Sequence, residues 1–319
     1  MTEASTPIGV TLICGFLGSG KTTRINALIA NGELEDALFL VNDFGRLNID
    51  ASLIESREGE VVRFNNGCAC CGLAGDLSAQ LRRIRRWPRP PSRMVMEASG
   101  VARPRPLAQL FTAALGYALE QVEFLVDAST LGSLLNDPSV GELARDQLRD
   151  VERISVNRWH QMEESERRHL VTQLKALNPE AILQWDDALP EPLDNMERMV
   201  DRKADRGEAD KGSRAVGLTP GALASLSIRL PERLDAGRLG RALDAARPFL
   251  LRAKGFIHAG ETRDGLTLVQ WTPSGCRFTP AHGDKPAVLV LIGKGRDNLE
   301  ALAERLSVLS QMAITASLR

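Results

Sequence analysis

The chain has 319 residues, a length that favours two domains. Its 40 lysines and arginines nearly balance its 41 aspartates and glutamates, so we expect neither a nucleic-acid partner nor binding to an acidic membrane surface. No apolar run is long enough to cross a bilayer, and the first residues lack the basic start and apolar middle of a signal peptide. We therefore expect a cytoplasmic protein whose five cysteines stay reduced and serve as core residues, metal ligands or catalytic thiols.

A glycine-rich stretch near the N-terminus, residues 15–23 (GFLGSGKTT), has the G-x-x-x-x-G-K-T spacing of a phosphate-binding loop. It follows a short apolar run and precedes a helical pattern, which is the context that this motif requires. Gly15, Gly18 and Gly20 permit backbone conformations that a Cβ atom would forbid. Successive N–H groups can then point inwards at the start of the helix and form a cradle for phosphate oxygens.

The side chains of this loop supply the other groups that a nucleotide needs. Lys21 is expected to place its charge near the β- and γ-phosphates, Thr22 offers a hydroxyl to Mg²⁺, and Thr23 can support the neighbouring phosphate. The helix that follows is expected to end at Asn31-Gly32, a typical C-terminal cap. The predicted nucleotide-binding residues of the loop are Gly15, Gly18, Ser19, Gly20, Lys21, Thr22 and Thr23.

Apolar runs alternate with helical patterns along the first part of the chain. Continuous apolar runs at this spacing predict an α/β fold, a P-loop NTPase domain whose mostly parallel sheet carries helices on both faces. Ligands of such sheets bind at the carboxyl ends of the strands, and most polar motifs of this chain follow a strand end. The predicted strands are residues 10–14, 37–42, 61–64, 93–97, 122–127, 153–157 and 181–185.

The loop after the second predicted strand contains Asp43 and Asp50. A carboxylate here can hold Mg²⁺ directly or through water, and the loop would then order or relax with the γ-phosphate. Asp43 is therefore a candidate catalytic carboxylate. Asn, Asp and Gly are also ordinary turn residues, and on the loop alone a simple turn is the better supported interpretation.

Three cysteines, Cys68, Cys70 and Cys71, lie within four positions and are flanked by glycines. Thiolates at these spacings can converge on a soft or borderline metal, Zn²⁺ or Co²⁺, and three sulfurs leave a fourth position open. An open site suits metal transfer. A redox-sensitive thiol cluster and simple packing are the alternatives, and clustered cysteines in a cytosolic chain favour metal or redox chemistry over structural disulfides.

Another predicted strand ends in an acid, Glu97, followed by the small residues Ala98, Ser99 and Gly100. Beside a phosphate-binding loop, this carboxylate is expected to organise Mg²⁺ through its water shell or to orient the attacking water. Gly100 would let its loop approach the γ-phosphate. A strand-end glutamate without a function is the weaker interpretation.

Four stretches, residues 15–23 (GFLGSGKTT), 42–50 (NDFG…ID), 67–71 (GCACC) and 97–100 (EASG), occur in this order. Together they resemble the CobW-type metal-chaperone GTPases, relatives of the UreG and HypB nickel chaperones and of zinc-transferring GTPases. The resemblance implies nucleotide hydrolysis that is coupled to loading a metal onto a client protein. It also implies that nucleotide, Mg²⁺ and the cysteine metal site communicate.

The sequence departs from that family at residues 157–160, where the family usually carries Asn-Lys-x-Asp for guanine. Asn157 is kept, Arg158 stands for the lysine, and His160 replaces the aspartate. A carboxylate accepts both hydrogen bonds of guanine, whereas a neutral imidazole has one acceptor nitrogen, so we expect guanine preference to fall roughly tenfold to a hundredfold. Arg158 can still cover the base and Trp159 can stack on it. Ordinary surface and packing roles remain open, as does an acceptor from another loop. At Asp43, glutamate is commoner in the family.

The composition predicts three segments: a P-loop NTPase domain (residues 1–187), a charged and Pro/Gly-containing flexible linker (188–221), and a small C-terminal α+β domain (222–319) that resembles the family's second domain. In the last segment we expect the order strand, helix, three strands, helix. Cys14 and Cys276 are expected to be buried thiols.

The sequence thus predicts a Mg²⁺-dependent nucleoside triphosphatase that uses GTP or ATP and delivers Zn²⁺ or Co²⁺ to a client metalloprotein. Lys21, Glu97 and Asp43 are the catalytic candidates, Asn157 and Arg158 contact the nucleotide, Thr22 and Glu97 bind Mg²⁺, and the cysteine triplet binds the transition metal. A nucleotide-dependent metal or redox sensor with little hydrolysis is the alternative. A small-molecule kinase would leave the cysteine triplet without a purpose. Homo-oligomerisation stays open.

Overall fold

The structure is a computed structural model that describes residues 6–32, 37–42, 61–64, 73–160, 162–186, 223–230, 234–258, 265–282 and 285–315. The chain divides into two compact units, Met1–Pro190 and Glu191–Arg319. The predicted linker, residues 188–221, lies outside the described residues, so the exact domain boundaries stay a prediction.

Within the described residues, the first unit contains one parallel sheet of seven strands. They are β1 (Ile8–Gly15), β2 (Ala37–Asn42), β3 (Val61–Phe64), β4 (Arg93–Glu97), β5 (Tyr117–Asp127), β6 (Arg153–Asn157) and β7 (Ile182–Trp185). Their order across the sheet is β3-β2-β4-β1-β5-β6-β7, and every neighbouring pair is parallel. The predicted α/β fold is confirmed, because nearly continuous apolar runs such as β1 are buried on both faces of the sheet.

The helices of this unit begin and end at residues with clear local reasons. Pro104 is the first residue of the helix Pro104–Ala113, Asp127 caps the helix Ala128–Leu135, and Glu163 with Glu166 forms a capping box at the helix Glu164–Leu177. The first helix ends at Ala30 and is capped by Asn31, which Gly32 follows with φ 75°, in agreement with the predicted cap at Asn31-Gly32. No described helix combines the length and apolar character of a membrane span. The helices are α1 (Lys21–Ala30), α2 (Leu73–Arg85), α3 (Pro104–Ala113), α4 (Ala128–Leu135), α5 (Gly141–Arg149) and α6 (Glu164–Leu177).

The strand order places the candidate site at one edge of the sheet. β1 lies between β4 and β5. The chain adds β2 on one side of β1 and β5 on the other, so the direction in which strands are added reverses there. Open α/β sheets bind ligands at such a point. The carboxyl ends of these strands and of β6 carry Gly15, Glu97, Asp127 and Asn157. Four polar or conformationally special residues are therefore gathered at the same edge.

Within the part of the second unit that the structure describes, five strands form an antiparallel sheet in the order β11-β10-β9-β12-β8, accompanied by two helices. Its core is a leucine cluster around the fully buried Trp271. The elements are β8 (Ala224–Arg229), α7 (Ala236–Ala245), β9 (Leu250–His258), β10 (Leu266–Thr272), β11 (Gly275–Pro280), β12 (Val288–Gly293) and α8 (Arg296–Thr315).

One strand of this unit, β11, is absent from the predicted order. It pairs with β10 as a hairpin whose closing partners are Thr272 and Gly275. Only Cys276 and Phe278 of this edge strand pack towards the core, and both stay partly exposed. An alternation of two residues is too short to distinguish a strand from a loop in the sequence.

Candidate functional site

The loop between β1 and α1 has the backbone geometry of a phosphate cradle. Gly15, Gly18 and Gly20 have φ values of 146°, 81° and 92°, which side-chain-bearing residues rarely adopt. A Cβ on Gly15 would lie 2.7 Å from the carbonyl oxygen of Leu125. The first helical residue follows Gly20, which offers no side chain to cap the helix. The N–H groups of the first turn are thus suited to an anionic ligand.

Lys21 is buried within this loop, with 5 % of its surface exposed. Its ammonium donates hydrogen bonds to the carbonyl oxygens of Gly15 (2.9 Å) and Phe16 (3.1 Å). The positive charge therefore lies against the glycine-rich loop itself.

Thr22 and Glu97 meet at the start of α1 and the end of β4. The Thr22 hydroxyl donates to both carboxylate oxygens of Glu97, at 3.1 and 3.2 Å, and Glu97 is 3 % exposed. A hydroxyl and a carboxylate are oxygen donors of the kind that Mg²⁺ requires. The residues present fit the ion, which Thr22 and Glu97 would hold and which supplies positive charge to phosphate oxygens when bound.

The loop after β4 packs directly on the phosphate-binding loop. A Cβ on Gly100 would lie 2.8 Å from the backbone nitrogen of Leu17, so only glycine fits this position. The fully buried Gln147 of α5 donates to the carbonyl oxygens of Gly100 (3.2 Å) and Ala102 (2.8 Å). Gln147 holds this loop in place, and its only sequence signal is a polar residue on the apolar face of an amphipathic helix.

Two serines of these loops, Ser19 and Ser99, have buried hydroxyl oxygens without a hydrogen-bond partner in the structure. Buried polar atoms are almost always partnered in folded proteins. Two orphaned hydroxyls in adjoining loops therefore fit a polar ligand such as a phosphate chain.

Asn157 ties the end of β6 to the phosphate-binding loop. Its amide donates to the carbonyl oxygen of Ser19 at 2.7 Å, and the residue is fully buried. The next residue, Arg158, forms an ion pair with the carboxylate of Asp127 at the end of β5. The guanidinium is thus directed at Asp127, a residue that the sequence did not single out.

Trp159 is enclosed by other side chains. His160 stacks on it with ring centroids 4.1 Å apart, the Arg167 guanidinium lies 4.7 Å from its ring, and the Trp185 ring lies at 5.3 Å. Trp159 therefore packs within the protein, in agreement with the packing alternative left open above, and a stacking role towards a base has no support in these contacts.

A buried ionic cluster fixes α1 to the sheet. Arg24 contacts Glu123 on β5 at 3.2 Å and Asp186 after β7 at 3.7 Å, and the Ser155 hydroxyl donates to Glu123 at 2.6 Å. The side chains of Arg24, Glu123 and Asp186 are 16 %, 2 % and 5 % exposed. Charges in apolar runs carry no periodic signal, so the sequence did not reveal this cluster.

The two cysteines within the described residues are free thiols with raised pKa values. Burial raises the pKa of Cys14 to about 12, against a smaller lowering by the charge of Lys21. Burial and then the nearby Asp244 raise the pKa of Cys276 to about 11. Cys14 is buried as expected, whereas Cys276 is half-buried because its strand is at the sheet edge.

The other predicted site residues, Asp43, Cys68, Cys70 and Cys71, lie outside the described residues. Among the residues that are described, no group of three or more His, Cys, Asp and Glu side chains is arranged to hold a metal. The transition-metal site therefore rests on the sequence.

Residues 9–184 match the family described as CobW/HypB/UreG, nucleotide-binding domain, and residues 223–309 match the cobalamin synthesis protein cobW C-terminal domain. The first match alone covers more than half of the chain. The chain belongs to the CobW/HypB/UreG family. The family assignment, the P-loop fold and the second domain agree with the resemblance that the motifs indicated.

Several curated relatives are named for zinc. The chain is 25 % identical over 327 residues to zinc-regulated GTPase metalloprotein activator 1 of Dictyostelium discoideum, covering 85 % of this chain and 66 % of that protein. It is 30 % identical over 171 residues to the zinc chaperone YjiA of Escherichia coli, covering 51 % of this chain and 53 % of that protein. The zinc chaperone CobW of a Sinorhizobium species is 33 % identical over 110 residues, 33 % of this chain. The matches span about a third to two thirds of the relatives' lengths, 31 % to 66 %.

Among solved structures, the Zn(II)-bound YjiA GTPase from E. coli aligns with a TM-score of 0.42 and 21 % sequence identity. The alignment covers 94 % of this chain and 99 % of that chain.

Proposed function

We propose that the protein is a Mg²⁺-dependent nucleoside triphosphatase, with GTP as its expected substrate, that couples hydrolysis to binding and delivery of zinc or cobalt to a client metalloprotein. The observation that best supports a hydrolase is the contact between Thr22 and Glu97, next to Lys21 in the sequence. A hydroxyl, a carboxylate and a buried ammonium then surround one glycine-rich cradle.

Each group has a role in this proposal. The α1 N–H groups and Lys21 bind and neutralise the phosphate oxygens, while Thr22 and Glu97 hold Mg²⁺. Glu97 or Asp43 orients the attacking water. Phosphoryl transfer of this kind depends on positioning and charge stabilisation, with little covalent chemistry by the protein.

The metal half of the proposal rests on the cysteine triplet and on the family. Cys68, Cys70 and Cys71 offer three thiolates to Zn²⁺ or Co²⁺, and the open fourth position suits transfer to a client. Three relatives are named zinc chaperones or zinc-regulated activators. Because all three names specify zinc, we propose Zn²⁺ before Co²⁺ as the metal that is delivered.

Base preference is the part of the proposal that depends on His160. His160 stacks on Trp159 and replaces the carboxylate that would accept both guanine hydrogen bonds. We therefore expect GTP and ATP to differ less, by roughly tenfold to a hundredfold, than they would with an aspartate at this position.

The test is phosphate release from GTP and from ATP with Mg²⁺, each with and without Zn²⁺, in the wild type and in Lys21→Ala. We expect turnover that requires Lys21 and responds to zinc. Nucleotide binding without turnover would reject the hydrolase and support the sensor alternative. Turnover that survives Lys21→Ala would show that another protein in the preparation hydrolyses the nucleotide.

A further inference from the structure

Arg158 has a backbone conformation that side-chain-bearing residues seldom adopt. Its φ of 54° makes it the non-glycine residue with a positive φ in the part of the chain that is described. Such a conformation persists only when the surrounding structure holds it, and residues of this kind cluster at active sites and ligand-binding loops.

The guanidinium of Arg158 is paired with the carboxylate of Asp127. Asp127 and Asn157 are direct neighbours across β5 and β6, so the residue after Asn157 starts its loop beside Asp127. One carboxylate oxygen of Asp127 accepts hydrogen bonds from the backbone N–H (3.0 Å) and the hydroxyl (2.6 Å) of Ser129, and Asp127 thereby caps α4. The other oxygen accepts from the Arg158 guanidinium. The Asp127 side chain is 6 % exposed, so these protein donors supply the hydrogen bonds that little water can reach to make.

The remaining residues of the post-β6 segment (residues 157–160) are also anchored. Asn157 donates to the Ser19 carbonyl oxygen of the phosphate-binding loop, and Trp159 packs against Trp185 and Arg167. The segment is therefore linked on one side to the phosphate cradle and on the other to Asp127. A change at Asp127 would alter the direction of this segment and leave the cradle, which lies on β1 and α1, in place.

We propose that Asp127 is a positioning residue for the nucleoside. By holding Arg158 in the left-handed conformation, it sets the direction of the post-β6 segment and so the affinity for the nucleoside half of the nucleotide. The inference rests on the proposed nucleotide binding by Asn157 and Arg158. In this proposal the side chain of Arg158 pairs with Asp127, and the post-β6 segment that the pair positions contacts the nucleoside.

Asp127→Asn is the sharpest variant, because asparagine caps helices as well as aspartate does. With its one carbonyl oxygen facing Ser129, its NH2 group takes the place of the second oxygen and cannot accept from Arg158. The affinities of GDP and of inorganic tripolyphosphate are measured by calorimetry, and the melting temperature is recorded. We expect GDP affinity to fall about tenfold, as for loss of a charged hydrogen bond, and tripolyphosphate affinity and melting temperature to stay near the wild-type values.

A second single variant, the double variant and a control variant complete the experiment. Arg158→Gly suits a positive φ but lacks the guanidinium, so it should lose GDP affinity to the same degree, and the double variant should be no weaker than either single one. Glu164→Gln, which breaks an exposed pair with Arg168 (3.7 Å), is the matched control and should bind GDP as the wild type does.

Unchanged GDP affinity in Asp127→Asn would overturn the inference, and so would an equal loss of GDP and tripolyphosphate. Additive losses in the double variant would overturn it as well. If the wild type binds neither ligand, the proposed function itself is wrong, and the inference is rejected with it.

Discussion

Gly100 leaves no room for a methyl group between the loop after β4 and the phosphate-binding loop. The backbone nitrogen and Cα of Leu17 lie 2.8 and 2.9 Å from the place where a Cβ would be. These atoms belong to the backbone, so they cannot move aside without deforming the cradle. The close approach explains a glycine in this turn by packing against the protein itself, whereas the sequence suggested an approach to the γ-phosphate.

Gly100→Ala is expected to lower the free energy of unfolding by about 1–3 kcal/mol, the usual effect of forcing a group into a filled space. It should also weaken tripolyphosphate binding. Gly132→Ala in α4 is the control, because no heavy atom lies within 4 Å of the added methyl, and it should stabilise the protein by about 0.5–1 kcal/mol. Urea unfolding measures both. Equal effects of the two substitutions would contradict this account of Gly100.

Because of Cys14, the free energy of unfolding of the first unit should depend on pH in the alkaline range. Its thiol ionises near pH 9.0 in an unfolded chain, whereas burial raises its pKa to about 12 in the fold. Above pH 9 the unfolded state loses the proton first, so the free energy of unfolding should fall by about 1.4 kcal/mol per pH unit from this group until its folded pKa is reached. Cys14→Ala should show a shallower decline in urea unfolding between about pH 9 and pH 10.5. An identical slope in both proteins would show that Cys14 is not buried as described.

Residues within a recognisable motif could be located from the sequence, because the motif fixes both residue type and spacing. Lys21, Thr22 and Glu97 come together as their order along the strands and helix predicted. Asp127 and Gln147 could not be located, because each acts by contacting the backbone or a side chain that is distant in the chain. Only the strand register and helix packing bring these partners together.

At the scale of elements, α1 is held in place by a charge cluster as well as by its apolar face. Ile25 and Leu28 of this helix are buried, and Arg24 is placed between two carboxylates on β5 and after β7. Because the same helix carries Lys21 and Thr22, its position decides where the phosphate and Mg²⁺ groups lie. The sequence predicted the helix and both of its ends, since these depend on local caps, but not the charge cluster.

Arg24→Met is expected to destabilise the protein by about 3–5 kcal/mol, because it removes the guanidinium that pairs with the buried Glu123 and Asp186 carboxylates. The double variant Arg24→Met/Glu123→Gln should lose less, since one uncompensated charge is removed. Arg105→Met breaks an exposed pair with Asp150 (3.6 Å) and should change the stability by no more than about 0.5 kcal/mol. A small effect of Arg24→Met in urea unfolding would mean that the cluster adds little to the position of α1.

At the scale of the whole molecule, the chain consists of two units with separate cores. The first is built on a parallel sheet and the second on an antiparallel sheet around Trp271. The sequence predicted this division from its change of composition, and it predicted the second unit's class but not its edge strand. Separate cores imply that each unit can be perturbed on its own.

Leu289→Ala, at a fully buried position of β12, should lower the unfolding free energy of the second unit by about 2–5 kcal/mol and so shift one thermal transition to a lower temperature. GDP with Mg²⁺ at a hundredfold excess over its dissociation constant should raise the other transition by about 2.7 kcal/mol. Scanning calorimetry resolves both. If substitution and nucleotide shift one and the same transition, the two units unfold as a single cooperative body.

Under the proposed function, the nucleotide state controls a metal site that Cys68, Cys70 and Cys71 would build. The most direct measurement is the zinc dissociation constant of the protein bound to a non-hydrolysable GTP analogue and of the protein bound to GDP. The account predicts that the two constants differ by about tenfold, a typical coupling between sites, and that Cys68→Ser/Cys70→Ser/Cys71→Ser abolishes the tighter binding. Equal zinc affinity in the two nucleotide states, or an affinity that survives loss of the three thiols, would contradict it.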